Sequence, residues 1–191
     1  MGQEHFPVAE PTRYKLTVEE FLALDDAGFF FEHGRHELID GDIYQMSPLH
    51  VPHARASRVL CSLIEAAIKE AGLHLEVIGT VSMRLGHHSL PEPDLVVVGP
   101  EVGDKFVELD AARIAIEISD SSLGHDLKRK AALYGSYGVA EYWVVDLNNR
   151  AIHQMTDPTP EGYAGVGVHP FGARVASKLV PQIVLDSARL A

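Results

Sequence analysis

Two aliphatic segments near the middle of the chain have the pattern of buried strands, and each contains one carboxylate. In the segment 113–119 (RIAIEIS) three isoleucines share one face with period two, so Glu117 lies on the opposite face. In the segment 94–98 (DLVVV) both faces are aliphatic, which predicts a central strand with Asp94 at its start. A buried ionised carboxylate is unfavourable unless a partner or a metal compensates its charge. The two carboxylates therefore indicate a functional site.

The segment that follows predicts a helix, which begins at Ser121 or Ser122 and ends within residues 135–138. At about 100° per residue, its apolar arc consists of Leu123, Leu127, Ala131, Leu133, Tyr134 and Tyr137. Lys130 falls inside that arc, where a cation requires a partner. Two interpretations are open. Lys130 either pairs with Asp126 one turn before it and extends to solvent, or it contacts the two strand carboxylates.

Apolar periodicity along the rest of the chain predicts a mixed α/β core in which sheet segments alternate with helices. The predicted elements, in order, are a helix from Thr17 to about Asp26, a hairpin from Glu37 to Met46, a helix from about Pro52 to Ala71, strands from Leu75 to Arg84, Asp94 to Val98 and Arg113 to Ser119, the helix with Lys130, and a hairpin from Glu141 to Met155. Glycines and prolines between Asp157 and Pro170 predict a loop or an irregular hairpin there.

Length and composition fit one domain spanning residues 1–191, with residues 1–15 as a flexible or extended segment. Of the 191 residues, 46% are hydrophobic and 23% are charged, which is typical of an ordinary globular protein. We expect neither a secretory signal nor a membrane span, because no apolar run approaches the roughly 18 residues that a span requires. The only cysteine, Cys61, excludes an internal disulfide, so we expect a cytoplasmic protein.

The ordered set Asp94, Glu117 and Lys130 resembles the metal site of the PD-(D/E)XK nuclease superfamily. More closely, the chain resembles a bacterial family of restriction endonuclease-like proteins known as domain of unknown function 820. The stretches that carry the resemblance are HELIDGDIYQMSP, HARASRVLCSLIEAAI, PEPDLVVV, IAIEISDSS, DLKRKAALYGSYGVAEYWVVD and the hairpin after them, from about Leu16 to Met155. The resemblance implies a restriction endonuclease-like core, with a mixed central sheet flanked by helices and with an N-terminal helix and β-hairpin.

One position departs from the superfamily, because Ser119 stands where its E-x-K pattern has lysine. In the resembled family the lysine is on the following helix, which makes Lys130 the replacement, in agreement with the apolar arc. The resemblance also implies roles for Glu37 in the first hairpin and for His53 at the start of the next helix. The candidate catalytic residues are therefore Asp94, Glu117, Lys130, Glu37 and His53.

The chemistry that the resemblance implies is metal-dependent hydrolysis of DNA phosphodiester bonds. Asp94 and Glu117 would bind Mg²⁺, a hard cation that prefers oxygen ligands, and Mn²⁺ would substitute for it. Lys130 would orient the attacking water or stabilise the charge that develops at phosphorus. DNA is then the expected partner. We also expect a homodimer, from the resemblance and from the apolar segment AEYWVV, which we place near a sheet edge.

The net charge of −11 opposes binding to a phosphate backbone. Five basic residues expected around the site offset it locally: Arg35, Arg55, Arg58, Lys128 and Arg129, the last two of which are predicted to point to solvent. Two alternatives stay open. The first is a nuclease fold retained as a non-catalytic module that binds nucleic acid or protein, and the second is an acidic interaction subunit of a mobile-element or defence system. A two-carboxylate glycosidase is a more distant alternative, since it needs no lysine.

Overall fold

The computed structural model describes residues 12–190, so most of the segment expected to be flexible or extended lies outside the described residues. The helical elements are α1 (Val18–Asp26), α2 (Val51–Glu70), α3 (Leu123–His125), a π-helical turn (Asp126–Lys130), α4 (Ala131–Ser136) and a 3₁₀ turn (Ser187–Leu190). The strands are β1 (His36–Ile39), β2 (Asp42–Gln45), β3 (Glu76–Gly79), β4 (Met83–Arg84), β5 (Leu95–Val98), β6 (Val107–Glu108), β7 (Ala112–Ser119), β8 (Glu141–Asp146), β9 (Ala151–Thr159), β10 (Gly162–Pro170), β11 (Arg174–Ala176) and β12 (Val184–Asp186).

Six strands form the central sheet in the order β10-β9-β8-β7-β5-β3. Strands β7 and β8 run parallel, whereas every other neighbouring pair in this sheet is antiparallel. A parallel pair needs a crossover connection, and here the crossover consists of α3, the π-helical turn and α4. The mixed α/β fold predicted from the sequence is confirmed, and the crossover carries Lys130 over one face of the sheet.

The two faces of the sheet bury separate apolar clusters, which sets the direction of the strand carboxylates. Helix α2 packs over Ile114, Ile116 and Ile118 on one face. Residues of the crossover pack on the other face, in the cluster that contains Ala115. Since side chains alternate along a strand, Glu117 lies on the crossover face, as the period-two pattern predicts.

Helix α1 and the first hairpin agree with the sequence prediction. Thr17 caps α1 in a capping box with Glu20. Strands β1 and β2 are antiparallel, and the turn Asp40-Gly41 between them has positive φ at both residues, 51° and 78°, as a type I′ hairpin turn requires. The backbone N–H of Leu90 donates to the carbonyl of Leu38 at 2.7 Å. This bond ties the hairpin to the segment that precedes β5.

Two segments differ from the sequence prediction. Residues 157–170, predicted as a loop or irregular hairpin, complete β9 and form β10, a nine-residue strand. Its glycines lower the local preference for a strand, but pairing with β9 along almost its whole length overrides that preference. The predicted strand 75–84 is broken near Thr80, whose φ is 50°. It forms β3 and β4 instead, and β4 pairs with β6 outside the central sheet.

The segment AEYWVV does not lie near a sheet edge. It contributes most of β8, which lies between β7 and β9 and is buried along its whole length. That ground for expecting a homodimer is therefore wrong. The sequence misleads because a fully buried central strand and an apolar contact strand have the same composition. The edges of the sheet are β3 and β10.

One buried carboxylate outside the cleft has a structural role. Glu141 on β8 is 0% exposed and accepts hydrogen bonds from Trp143 Nε1 at 2.7 Å, Gln154 Nε2 at 2.6 Å and Ser177 Oγ at 2.6 Å. Two backbone amides of the following segment donate to it as well. A buried carboxylate with this many donors is fully hydrogen-bonded. Because three of the donors belong to the C-terminal segment, Glu141 fixes that segment on the sheet.

Candidate active site

A cleft of about 220 Å³ opens where the first hairpin, the start of α2, the ends of β5 and β7 and the π-helical turn meet. Four of the five candidate residues line it, namely His53, Asp94, Glu117 and Lys130. The fifth, Glu37, contacts Lys130 directly. The structure therefore brings all five together, although they come from five separate elements of the chain.

Lys130 is 1% exposed and lies between two buried carboxylates. Its Nζ donates to Oε1 of Glu37 and to Oε1 of Glu117, each at 2.9 Å. Glu37 is 0% exposed and Glu117 is 4% exposed. Within residues 12–190, the ion pairs of Lys130 are with these two glutamates and not with Asp126. Of the two interpretations open from the sequence, contact with strand carboxylates is the one that this geometry supports. Only Glu117 of the expected pair contacts Lys130, however, and Glu37 on β1 takes the place expected for Asp94.

Asp94 lies immediately before β5 and is held by two other elements. Its Oδ2 accepts the backbone N–H of Ile118 on β7 at 2.7 Å, and Nε2 of His53 on α2 lies 3.1 Å from the same oxygen. Leu95 pairs with Ile116 in the antiparallel ladder between β5 and β7. Continuing that register by one residue places Asp94 opposite Glu117, so the two carboxylates are neighbours on adjacent strands.

Lys130 is the last residue of the π-helical turn. A π-helical turn holds one more residue in each hydrogen-bonded loop than an α-helix does, and such turns are frequent at functional sites. Here it buries both Asp126 and Lys130, whereas Lys128 between them is exposed. Tyr134, four residues after Lys130, donates its hydroxyl to the same Oε1 of Glu117 at 3.1 Å. Oε1 of Glu117 is therefore fixed by two donors from the crossover.

The site holds more carboxyl groups than ammonium groups, because Glu37 and Glu117 contact Lys130 and Asp94 lies beside Glu117. Burial raises the pKa of Glu117 well above its ordinary value, and Asp94 adds to the rise, while Lys130 opposes it. Burial on its own lowers the pKa of Lys130, but Glu117 and Glu37 outweigh burial and raise it above the ordinary value. The ammonium therefore stays protonated. An excess of buried carboxylate favours uptake of a proton or of a cation.

The free oxygens of the two strand carboxylates fit a hard cation. Oδ1 of Asp94 and Oε2 of Glu117 accept no hydrogen bond from the described residues. Neither atom is among the fully buried polar atoms without a partner, so both are accessible from the cleft. Between residues 12 and 190, no group of three or more His, Cys, Asp or Glu side chains is arranged to hold a metal ion. Mg²⁺ is commonly bound through one or two carboxylates plus waters and substrate phosphates. The donor set therefore fits magnesium better than a metal that needs a full protein cage.

Sequence reasoning missed several residues that line the cleft or support its carboxylates. Tyr134 appears in the predicted apolar arc, but its bond to Glu117 depends on tertiary packing that the arc does not specify. The backbone N–H of Glu92 donates to Oε1 of Glu37 at 2.9 Å, and burial raises the pKa of the Glu92 side chain. Asp126 is 3% exposed, and burial raises its pKa as well. The only sequence signal for Glu92 is its place in PEPD beside Asp94.

The rim of the cleft is less basic than the sequence suggests. Arg129, predicted to point to solvent, is partly buried over the ring of Tyr44 at 4.7 Å and lies 3.7 Å from Asp42. Lys128 is exposed as predicted. Arg55 and Arg58 are exposed on α2 but do not line the cleft. Of the basic residues expected around the site, Arg35 lines it.

In this mixed sheet flanked by helices, one cleft brings together Asp94 at the start of β5, Glu117 near the end of β7 and Lys130 of the crossover. This is the arrangement that the resemblance to restriction endonuclease-like proteins implies. The chain belongs to the Uma2 family, whose model carries the description "Putative restriction endonuclease" and matches residues 18–188. This match confirms the family resemblance inferred from the sequence.

A solved structure has a similar fold. It is the crystal structure of a "putative nuclease belonging to DUF820" from Anabaena variabilis, which is 19% identical to this chain and superposes with a TM-score of 0.67. The match covers 92% of this chain and 97% of that chain. No curated protein matches the chain. Among the helices of the described residues, none has the length and apolar character needed to cross a membrane.

Proposed function

We propose that the protein is a Mg²⁺-dependent nuclease that hydrolyses DNA phosphodiester bonds. The observation that carries the proposal is a single buried ammonium, Lys130 Nζ, 2.9 Å from both Glu37 and Glu117 at the wall of a cleft that also contains Asp94. Membership of a family described as "Putative restriction endonuclease" supports the nuclease class. The metal, the nucleic acid and the catalytic roles below belong to the proposal.

Each strand carboxylate is oriented through one oxygen and offers the other. The N–H of Ile118 and Nε2 of His53 hold Oδ2 of Asp94, which leaves Oδ1 for a ligand. Lys130 and Tyr134 hold Oε1 of Glu117, which leaves Oε2. Asp94 and Glu117 would hold Mg²⁺, and the chemistry that the ion would supply is Lewis-acid polarisation of the phosphoryl group and a lower pKa of a bound water.

Lys130 acts as a fixed positive charge in this proposal. Burial opposes the charged form, but Glu117 and Glu37 raise the pKa of Lys130 above its ordinary value. An ammonium that keeps its proton cannot accept one from water, so Lys130 donates hydrogen bonds and stabilises negative charge at phosphorus. Glu37 accepts a second hydrogen bond from the ammonium, which fixes its position before substrate binds.

The net charge of −11 limits how the protein holds DNA. Affinity for a phosphate backbone rises with the number of phosphates neutralised by lysine and arginine. The basic residues that line the cleft are Arg35 and Lys130. Lys130 is already paired with two glutamates. We therefore propose transient binding with few phosphate contacts rather than a tight complex with duplex DNA.

The test is nicking of supercoiled plasmid by the purified protein in Mg²⁺ or Mn²⁺, with EDTA to stop the reaction. Lys130→Ala is expected to lose activity by about 10²–10⁴-fold, the usual effect of removing one acid-base or electrostatic group. It should still bind Mn²⁺ in calorimetry, whereas Glu117→Ala should lose both binding and cleavage. Lys128→Ala is the matched control, because Lys128 is on the same turn and is exposed.

The fold of each variant is checked by circular dichroism before activity is compared. Equal cleavage by the wild type and by Glu117→Ala would assign the activity to a contaminating nuclease. The non-catalytic binding module would then be the better description of this protein.

A further inference from the structure

Strand β10 forms one edge of the central sheet, and no strand within residues 12–190 pairs with its outer side. It is nine residues long, and its sequence GYAGVGVHP contains no Asp, Glu, Lys or Arg. Its most exposed residues alternate along the strand: Ala164, Val166, Val168 and Pro170. Val166 is 62% exposed and Val168 is 59% exposed. A long, uncharged, apolar edge is a template for pairing with another strand.

The opposite edge of the same sheet is protected in the usual way. Strand β3 has four residues, and it begins with the exposed Glu76. Short length and charged side chains both block pairing between sheet edges. Strand β10 is long and uncharged, and Pro170 at its last position is its only residue of a type that blocks edge pairing, so the contrast within one sheet favours a partner at the β10 edge.

The net charge of the chain and the lack of charge on β10 favour a second copy over a nucleic acid as the partner. Two copies of a chain with net charge −11 repel each other wherever carboxylates of one copy lie opposite carboxylates of the other. A contact between copies therefore needs a surface without carboxylates, and β10 is such a surface. A nucleic acid fits it poorly, because the strand carries no lysine or arginine to neutralise phosphates.

We propose that two copies of this chain associate through β10, paired antiparallel about a two-fold axis at Val166, so that one sheet continues through both. Val166 is the midpoint of β10, and an axis there pairs residues 163–169 with the same segment of the partner. At the ends of the strand, Gly162 packs against Gly135 of α4 and Pro170 has no backbone N–H to donate. Residues directly opposite in an antiparallel ladder share a face. Val166 then packs against the partner's Val166, and Val168 packs against the partner's Ala164. The contact is isologous, as a two-fold dimer requires.

The contact is separate from the cleft. Glu117 on β7 pairs with Val144 on β8, which pairs with His153 on β9, and His153 pairs with Val168. The proposed interface is therefore three strands away from Glu117 and contains none of the residues that line the cleft. Its test uses no nuclease activity, so the dimer and the proposed function can fail independently.

The first experiment is sedimentation equilibrium of the purified chain over a range of micromolar concentrations. The wild type is expected at twice the chain mass of 20.9 kDa. Val166→Lys is expected to abolish the dimer, because it places like charges opposite each other at the two-fold axis. The side chain is largely exposed in one copy, so circular dichroism should match the wild type and show that the fold is kept. Phe31→Ser is the control, because Phe31 is 91% exposed and lies outside β10.

The second experiment tests the register by cross-linking. Cys61 is the only cysteine, so Cys61→Ser provides a background without thiols. Val166→Cys in that background is expected to form a disulfide-linked dimer under mild oxidation, because Cβ atoms of opposite residues lie about 4.5–5.5 Å apart. Val168→Cys should not, since the two copies of residue 168 are four residues, or about 13 Å, apart along the strands.

A wild type that stays monomeric throughout the concentration range overturns the proposal, and so does a dimer that survives Val166→Lys. If Phe31→Ser abolishes the dimer and Val166→Lys does not, the contact lies at the loop after α1 and not at β10. Equal cross-linking of the two cysteine variants would reject the register centred on Val166.

Discussion

Replacing Lys130 by methionine removes the ammonium from the buried cluster and keeps a side chain of similar length. In the wild type Nζ lies 2.9 Å from Glu37 and from Glu117, and the three residues are 1%, 0% and 4% exposed. Solvent therefore screens these pairs very little. Removing one partner of a buried ion pair costs about 3–5 kcal/mol. We expect Lys130→Met to lose that much unfolding free energy at mildly alkaline pH in EDTA.

The loss should depend on pH with a defined sign. Burial already raises the pKa of Glu117, and removal of the ammonium raises it further. A protonated Glu117 carries no charge to be left unpaired, so the loss should shrink as the pH falls. Adding Glu117→Gln to Lys130→Met should restore much of the stability at mildly alkaline pH, because it removes one of the unpaired charges.

The assay is urea unfolding followed by circular dichroism, at several pH values and with EDTA throughout. Lys128→Met is the control, because Lys128 is exposed on the same turn and its replacement should change stability by no more than about 0.5 kcal/mol. If both methionine variants unfold at the same urea concentration at mildly alkaline pH, the reasoning from a buried ion cluster is refuted.

Two further outcomes follow from the excess of carboxylates in the cleft. The melting temperature should rise with added Mg²⁺ or Mn²⁺, because an ion bound only to the folded state stabilises it, and Asp94→Asn should blunt the rise; identical melting curves with and without millimolar metal would mean that no such site forms. Because the folded-state pKa of Glu117 is raised, its contribution to stability is present below the ordinary carboxyl pKa and is lost as the pH rises through the folded value. Glu117→Gln should therefore flatten the decline of stability with pH in EDTA, by about 1.4 kcal/mol for each unit of the shift, and a decline equally steep in both proteins would contradict this.

The direction of the strand carboxylates could be read from the sequence because it depends on local geometry. Alternation along β7 separates Glu117 from the three isoleucines, and the same face holds Ala115 in the structure. The apolar arc placed Lys130 on the buried side of its helix without knowledge of the π-helical turn. In both cases the period of the element, and not its exact bounds, carried the prediction.

Contacts between distant parts of the chain could not be derived in this way. Glu37 and Lys130 are 93 positions apart, and their contact depends on how the first hairpin docks against the sheet. Family resemblance suggested Glu37, but no local pattern points it toward an ammonium. Strand β10 was missed for a related reason, because glycines and prolines indicate a loop until a long partner strand is known.

The side chains around Ser119 explain why the lysine of the site is Lys130 on the crossover and not a residue at position 119. Ser119 is 1% exposed, and its Oγ lies 3.4 Å from Oγ of Ser122, which in turn donates to Asp126 at 2.5 Å. A lysine at position 119 would share the face of Glu117 on β7 and would need the volume that these side chains fill. The lysine of the π-helical turn approaches Glu117 from the crossover instead, and from there it also reaches Glu37 on β1. One cation thereby joins the hairpin, the central strand and the crossover, so the site depends on where the ammonium lies and not on which element supplies it.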